Sequence, residues 1–157
     1  MIKINIVAVG KVKEKYFADG INEYVKRLSR FATVKITEIK EELLSKDGDA
    51  EKSITLQREG ERILPELKGY VIALAVEGKK LSSEKLSMRL AELKNGGVNE
   101  ITFVIGGSYG LSNAVKDKAN MLLSFSDMTF PHTLMRLILT EQIYRAFMID
   151  AGASYHK

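Results

Sequence analysis

An α/β domain with a mostly parallel sheet flanked by helices is the fold that this 157-residue sequence predicts. Three observations lead there. Apolar runs of strand length alternate with longer amphipathic segments in the order β-α-β-α-β-α-β-α-β-α. Two of the runs, residues 70–76 (YVIALAV) and 101–105 (ITFVI), are apolar almost throughout, as strands covered on both faces are. No repeat, linker or low-complexity segment divides the chain, so residues 1–157 read as one domain long enough to bury a sizeable core.

The first strand, residues 2–9, carries Ile2, Ile4, Ile6 and then Val7, Ala8 and Val9, and it ends at Gly10. Lys11, Lys13 and Lys15 follow in a loop, either a solvated turn or positioning charges for a phosphate backbone. Residues 14–30 place Tyr16, Phe17, Ile21, Tyr24, Val25 and Leu28 on one helical stripe. Residues 33–39 alternate, with Lys35 and Thr37 outward, which predicts a half-exposed strand at a sheet edge. The polar residues 40–51 read as a mobile loop. Residues 51–67 predict a charged helix with a thin stripe of Ile54, Leu56, Ile63, Leu64 and Leu67, and with irregularity at Gly60 and Pro65. After strand 70–76, Ser82 or Ser83 caps a helix over residues 83–94, with Glu84 in its first turn and Leu86, Leu90 and Leu93 inward.

The rest of the chain is organised around residues 101–132. Strand 101–105 ends in Gly106, Gly107 and Gly110, where no Cβ keeps the backbone away from a ligand. A short helix and a strand over residues 121–125 lead to a second loop. Two loops leaving the carboxyl ends of parallel strands enclose a crevice, the usual ligand position in open α/β sheets. Pro131 then opens the last helix, residues 131–150. Leu134, Leu137, Ile138, Tyr144 and Met148 form one apolar stripe of it, and Met135, Leu139, Ile143 and Phe147 another. A helix apolar on most sides is buried all round or faces a second subunit, and a chain this short predicts a homodimer interface. Glu141 and Arg145, four apart, can pair there.

Composition narrows the chemistry. The absence of cysteine excludes disulfides, iron–sulfur clusters and thiolate zinc, and points to a reducing cytoplasm. Two histidines 24 residues apart predict no metal site. No apolar run suits a signal peptide or a membrane span, so no membrane partner is expected. The net charge of +4 is spread evenly, 16 Lys/Arg against 13 Asp/Glu through residue 80 and 8 against 7 beyond it, which admits a polyanionic partner without a dedicated nucleic-acid arm. Neither a G-x-S-x-G elbow nor a P-loop is present. The spacing G-G-x-x-G at 106–110 is near a dinucleotide fingerprint, and Asp127, 17 residues beyond Gly110, could serve ribose hydroxyls. A tight turn with positive φ at Gly107 and Gly110 accounts for the same glycines. On these residues alone a small NAD(P)-binding oxidoreductase and a non-catalytic RNA-binding factor both stay open.

Several motifs in one order resemble the SPOUT-class RNA methyltransferases: VAVGKVK at 7–13, FVIGGSYGL at 103–111, LSFSDMTFPH at 123–132, EQIYRAF at 141–147 and the terminal YHK. The similarity covers essentially the whole chain and is closest to the members that methylate N3 of a pseudouridine in 23S rRNA. It implies a C-terminal trefoil knot, S-adenosylmethionine as cofactor, an obligate homodimer, and a substrate presented by the assembled ribosome. Carried over by position, the cofactor pocket would use Leu74, Gly106, Phe125, Ser126, Asp127, Met128, Thr129 and Phe130. Backbone groups would meet adenine and ribose, and Leu74, Phe125 and Met128 would supply apolar walls. Asp127 would contact ribose or face solvent. The resemblance also implies a tail folded over the crevice, from the partner subunit, with His156 and Tyr155 as the candidate catalytic groups. Arg136, Lys157, Lys11 and Lys13 are the candidate RNA contacts, a salt bridge at the core edge being the other reading of Arg136, and His132 is structural or substrate-orienting.

Overall fold

The computed structural model describes residues 1–44 and 46–157. Strands and helices alternate as β1 (Ile2–Val9), α1 (Lys15–Leu28), β2 (Ala32–Ile39), α2 (Asp49–Ile63), β3 (Tyr70–Lys80), α3 (Ser83–Asn95), β4 (Glu100–Ile105), α4 (Asn113–Lys118), β5 (Met121–Ser124) and α5 (His132–Asp150). The strands form one sheet in the order β2-β1-β4-β3-β5, with every neighbouring pair parallel. β2 is an edge strand, as its alternation predicts.

Alternate side chains of the central strands feed two cores, which is the period-two geometry of a strand buried on both faces. Ile4, Ile6, Ile72, Phe103 and Leu123 pack beneath α1, α3 and α5. Val7, Val9, Ala73 and Val104 pack beneath α2 and α4, against Ile63 and Val115. Connections that step toward β2 use α1 and α3 on the first face. Connections that step toward β5 use α2 and α4 on the second, as a single crossover hand requires.

Two helices depart from their sequence pattern. α2 runs unbroken through Gly60, and its buried residues are Thr55, Glu59, Gly60 and Ile63, while Ile54 lies exposed. Gly60 is therefore a point of close packing: a Cβ there would stand 2.6 Å from Ser112 Oγ. The irregularity sits instead at Pro65, in a 3₁₀ turn, Leu64–Glu66.

α5 is covered by its own chain far more than the length argument expects. Leu139, Ile143, Tyr144 and Phe147 are all buried beneath α1 and α3. Gly20 of α1 lies so close that a Cβ would stand 2.8 Å from Leu137 Cδ1. Ser87 of α3 donates to the Ala146 carbonyl at 2.6 Å. The apolar residues of α5 that stay half-exposed include Leu134, Met135, Ile138 and Met148.

Candidate functional site

The carboxyl end of the sheet is shaped by backbone. Where β4 stops, the Gly110 N–H donates to the Gly107 carbonyl at 3.0 Å and closes a turn. A Cβ on Gly106 would collide with the Gly110 carbonyl, and Gly110 itself has φ +83°. Gly107, expected to need positive φ, does not adopt it. Its lack of a side chain makes room for Val9 and Glu59 instead, 3.1 and 3.2 Å from where a Cβ would stand.

β3 contributes a second wall. It pairs with β5 up to Leu74–Leu123, lapses over residues 75–78, and resumes at Lys79–Leu123. The strand is thus longer than the sequence suggests, and its middle bulges over the sheet edge. Gly78 permits this, because a Cβ there would be 2.7 Å from the Leu122 carbonyl carbon. The third wall follows β5. Ser124 Oγ donates to the Ser126 carbonyl at 3.1 Å, and the Met128 N–H donates to Ser126 Oγ at 3.0 Å, which folds residues 124–128 back on themselves.

These walls enclose about 680 Å³, within the usual range for a small-molecule site. Leu74, Gly106, Phe125, Ser126, Met128, Thr129 and Phe130 all line it, so the structure brings together seven of the eight predicted cofactor residues. Met128 is 72% exposed and Val76 is also exposed, leaving apolar surface at the mouth. Asp127 is the exception. Its side chain is 78% exposed and pairs with Lys80 at 2.6 Å, outside the lining.

The lining also holds groups that no motif announced. Glu77 and Lys116 pair at 2.5 Å across the rim, and the lysine holds the carboxyl below the usual carboxylate range. Their 39-residue separation leaves no local signal. His132 lines the crevice too, with Cε1 3.0 Å from where a Cβ on Gly10 would stand. Lys11 and Lys13 are exposed just beyond Gly10, at the same sheet edge. Arg136 makes the core-edge salt bridge, the other of its two readings. It is 3% exposed, bonded to Glu38 at 2.7 Å and to the Gly10 carbonyl at 3.2 Å, so it ties α5 to the ends of β1 and β2.

The tail docks on its own α3 and α5 and contributes nothing to the crevice of its own chain. Glu141 accepts from Arg145 at 2.6 Å and from Tyr155 at 3.1 Å, and Gln142 links Glu141 to Ser83. His156 lies between Arg145 (Nδ1, 3.1 Å) and Glu84 (Nε2, 2.7 Å). Arginine can only donate, so Nδ1 is the accepting nitrogen and Nε2–H donates to Glu84. Burial, then Tyr24 and Glu141, push the Tyr155 phenol pKa upward, so Tyr155 serves as a donor. Lys157 is exposed at the end.

The chain matches the model of the predicted SPOUT methyltransferase family over residues 2–156. The chain belongs to the SPOUT methyltransferase family. Among its SPOUT relatives, ribosomal RNA large subunit methyltransferase H of Lacticaseibacillus casei is 53% identical over 99% of this chain and 100% of the relative. The protein of the same name from Streptococcus uberis is 51% identical over the same shares. Among solved structures, a methylase family protein from Haemophilus influenzae superposes with a TM-score of 0.56 at 11% identity, covering 100% of this chain and 72% of that one. A methyltransferase from Legionella pneumophila, solved with its cofactor SAM, gives a TM-score of 0.52 at 12% identity over 93% and 66% of the two chains. At such identities these two speak for the SPOUT fold alone. Among the described residues, no helix is long and apolar enough to cross a membrane, and no cluster of three His, Asp or Glu residues could hold a metal.

Proposed function

We propose that this SPOUT enzyme methylates N3 of a pseudouridine in 23S rRNA, with S-adenosylmethionine as methyl donor and the assembled ribosome in the cytoplasm as substrate. The observation that carries this reading is the backbone crevice at the carboxyl end of β3, β4 and β5, in a chain half-identical to large-subunit rRNA methyltransferases. The residues suit the cofactor. Gly106 and residues 125–130 offer main-chain groups to a nucleoside, and Leu74, Phe125 and Met128 offer apolar contact. When bound, S-adenosylmethionine supplies an electrophilic methyl carbon on a sulfonium sulfur.

The protein's task is then to position N3 in line, exclude water and accept the N3 proton. His132 stands in the crevice itself, whereas the terminal groups, His156 with Tyr155, Arg145 and Glu141, stand away from their own crevice. Met135 lines it, whereas Arg145 lies ten residues further along α5, about 15 Å at helical rise. We therefore assign these groups to the crevice of a partner protomer, across a homodimer seam centred on Leu134 and Ile138. Both sit on the half-exposed side of α5, in phase with Glu141 and Arg145. The C-terminal part forms a trefoil knot, and residues 1–157 act as one domain. Lys11, Lys13 and Lys157 hold rRNA phosphates. The dinucleotide alternative loses its acidic residue, because Asp127 pairs with Lys80 away from the crevice.

The test is methylation of ribosomes from a strain lacking the gene, followed by mass spectrometry of the digested 23S rRNA. N3-methylpseudouridine is the expected product. Calorimetry that found NAD binding and no S-adenosylhomocysteine binding would overturn the assignment.

A further inference from the structure

The buried register of α2 places a carboxyl group on the helix's packed face. Thr55, Glu59 and Ile63 follow one another at four-residue spacing, and Glu59 is 3% exposed. Its Oε2 accepts the Glu42 N–H at 3.0 Å, while its Oε1 is buried without a hydrogen-bond partner. Both oxygens abut the α-carbon of Gly107, 3.2 and 3.5 Å from where a Cβ would stand. The next residue, Gly60, is pressed against Ser112, whose hydroxyl caps α4 by accepting the Val115 N–H. Consecutive residues of α2 therefore touch both ends of the glycine turn that forms one wall of the crevice. Glu59 itself does not line the crevice.

The same side chain reaches a second element. The segment 40–42 is tied to α2 by Arg62, which donates to the Lys40 carbonyl at 2.9 Å, and by Arg58 and Arg62, which pair with the Glu42 carboxylate. Glu59 adds the bond to the Glu42 backbone. Further along, Asp47 accepts from the Tyr109 hydroxyl at 2.7 Å, at the tip of the glycine turn.

We propose that Glu59 is a positioning residue for the cofactor, its carboxyl seating Gly107 on one side and the segment 40–42 on the other. This rests on the reading of the crevice as the S-adenosylmethionine site. Charged groups around Glu59 are Glu41 and Glu42 from the preceding segment and Arg62 from its own helix, while Val9 of β1 and Gly107, beyond β4, add no charge. Burial, reinforced by Glu41 and Glu42 against the opposing Glu42 N–H and Arg62, holds the carboxyl above its ordinary range. In its protonated form Glu59 sets no charge against Gly107. Ionisation at higher pH puts a desolvated anion against the turn, which must then shift or admit water.

The experiment measures S-adenosylhomocysteine affinity by calorimetry and the KM for S-adenosylmethionine on ribosomes, for wild type, Glu59→Gln and Glu59→Leu, at a temperature where circular dichroism shows each folded. Glu59→Leu removes the acceptor for the Glu42 N–H and is expected to weaken binding and raise KM by about tenfold, with kcat within about threefold of wild type. Glu59→Gln keeps the acceptor and the shape and restores both. Wild-type affinity should fall as pH rises and the carboxyl ionises, whereas that of Glu59→Gln should stay flat over the same pH range. A folded Glu59→Leu protein with wild-type affinity, or parallel pH profiles for wild type and Glu59→Gln, would overturn the proposal. If Glu59→Leu does not fold, the two pH profiles decide alone. Failure of wild type to bind S-adenosylhomocysteine would instead count against the crevice as the cofactor site.

Discussion

The crevice is made of backbone, whereas the terminal network is made of side chains. Glycine turn, strand bulge and folded loop meet within one chain, and few of their contacts depend on a charged group. The network around Glu141 does the reverse. Ser83, Glu84, Gln142, Arg145, Tyr155 and His156 converge largely through polar contacts, on the half-exposed side of α5. One region can hold a ligand, with His132 and the Glu77–Lys116 pair as the titratable groups of its lining. The other borders, at Ser83 and Gln142, a smaller cavity of about 330 Å³ that shares Phe125 and Phe130 with the crevice. The difference teaches that a backbone cleft and a side-chain network occupy separate parts of one chain, which the proposed function joins across two protomers.

The largest expected effect comes from deleting residues 155–157. Turnover on ribosomes should fall by about a thousandfold or more, while S-adenosylhomocysteine affinity by calorimetry stays within about threefold. Loss of both would place the tail in the crevice's own architecture. The converse variant is Gly106→Val, whose added side chain would collide with the Gly110 carbonyl. It should weaken S-adenosylhomocysteine binding by about a hundredfold or more while leaving the dimer mass by light scattering unchanged.

Arg136→Met sharpens the boundary between fold and site. Removing the buried guanidinium leaves the Gly10 carbonyl and Glu38 without their partner, which should cost about 1–3 kcal/mol in urea unfolding. The KM for ribosomes should not change. An unchanged stability with a raised KM would return Arg136 to the RNA surface. Glu59 gives a smaller, pH-dependent effect. Its folded-state pKa lies above the ordinary 4.5, so its contribution is whole below that value and is lost as pH rises through the raised one. Stability of Glu59→Gln relative to wild type should therefore be greater at neutral pH than at about pH 4. The smallest effect belongs to Lys11→Ala and Lys13→Ala, each lowering the salt dependence of ribosome binding by about one unit of slope.

Much of this architecture was legible in the sequence because it depends on local pattern. Alternating strand and helix periods predict the parallel sheet, and the run at 33–39 predicts its edge. The glycines and the loop after β5 mark the crevice because backbone approach demands small residues and breaks in regular structure. What the sequence hid depends on partners distant along the chain. Arg136 and Glu38 are 98 residues apart, and neither shows locally that they meet at the edge of the core. Asp127 stands in the right loop, and only the bulged β3, which brings Lys80 alongside, turns it outward. In α2 the thin apolar stripe misplaced the buried face, because Thr55 and Glu59 occupy the register of Ile63. A carboxylate four residues before a buried isoleucine was the available signal. The α5 stripes were correctly apolar, but their phase alone could not say that α1 and α3 would cover most of them.

The central claim, that crevice and tail come from different protomers, is tested most directly by mixing two inactive variants. One is the chain lacking residues 155–157, with an intact crevice; the other is Gly106→Val, with an intact tail. After subunit exchange at equal concentrations, half of the dimers are mixed and each has one complete site. Methyl transfer to ribosomes should then recover to about a quarter of the wild-type rate. No recovery, with mixed dimers verified by mass spectrometry, would contradict the claim and confine each site to one chain.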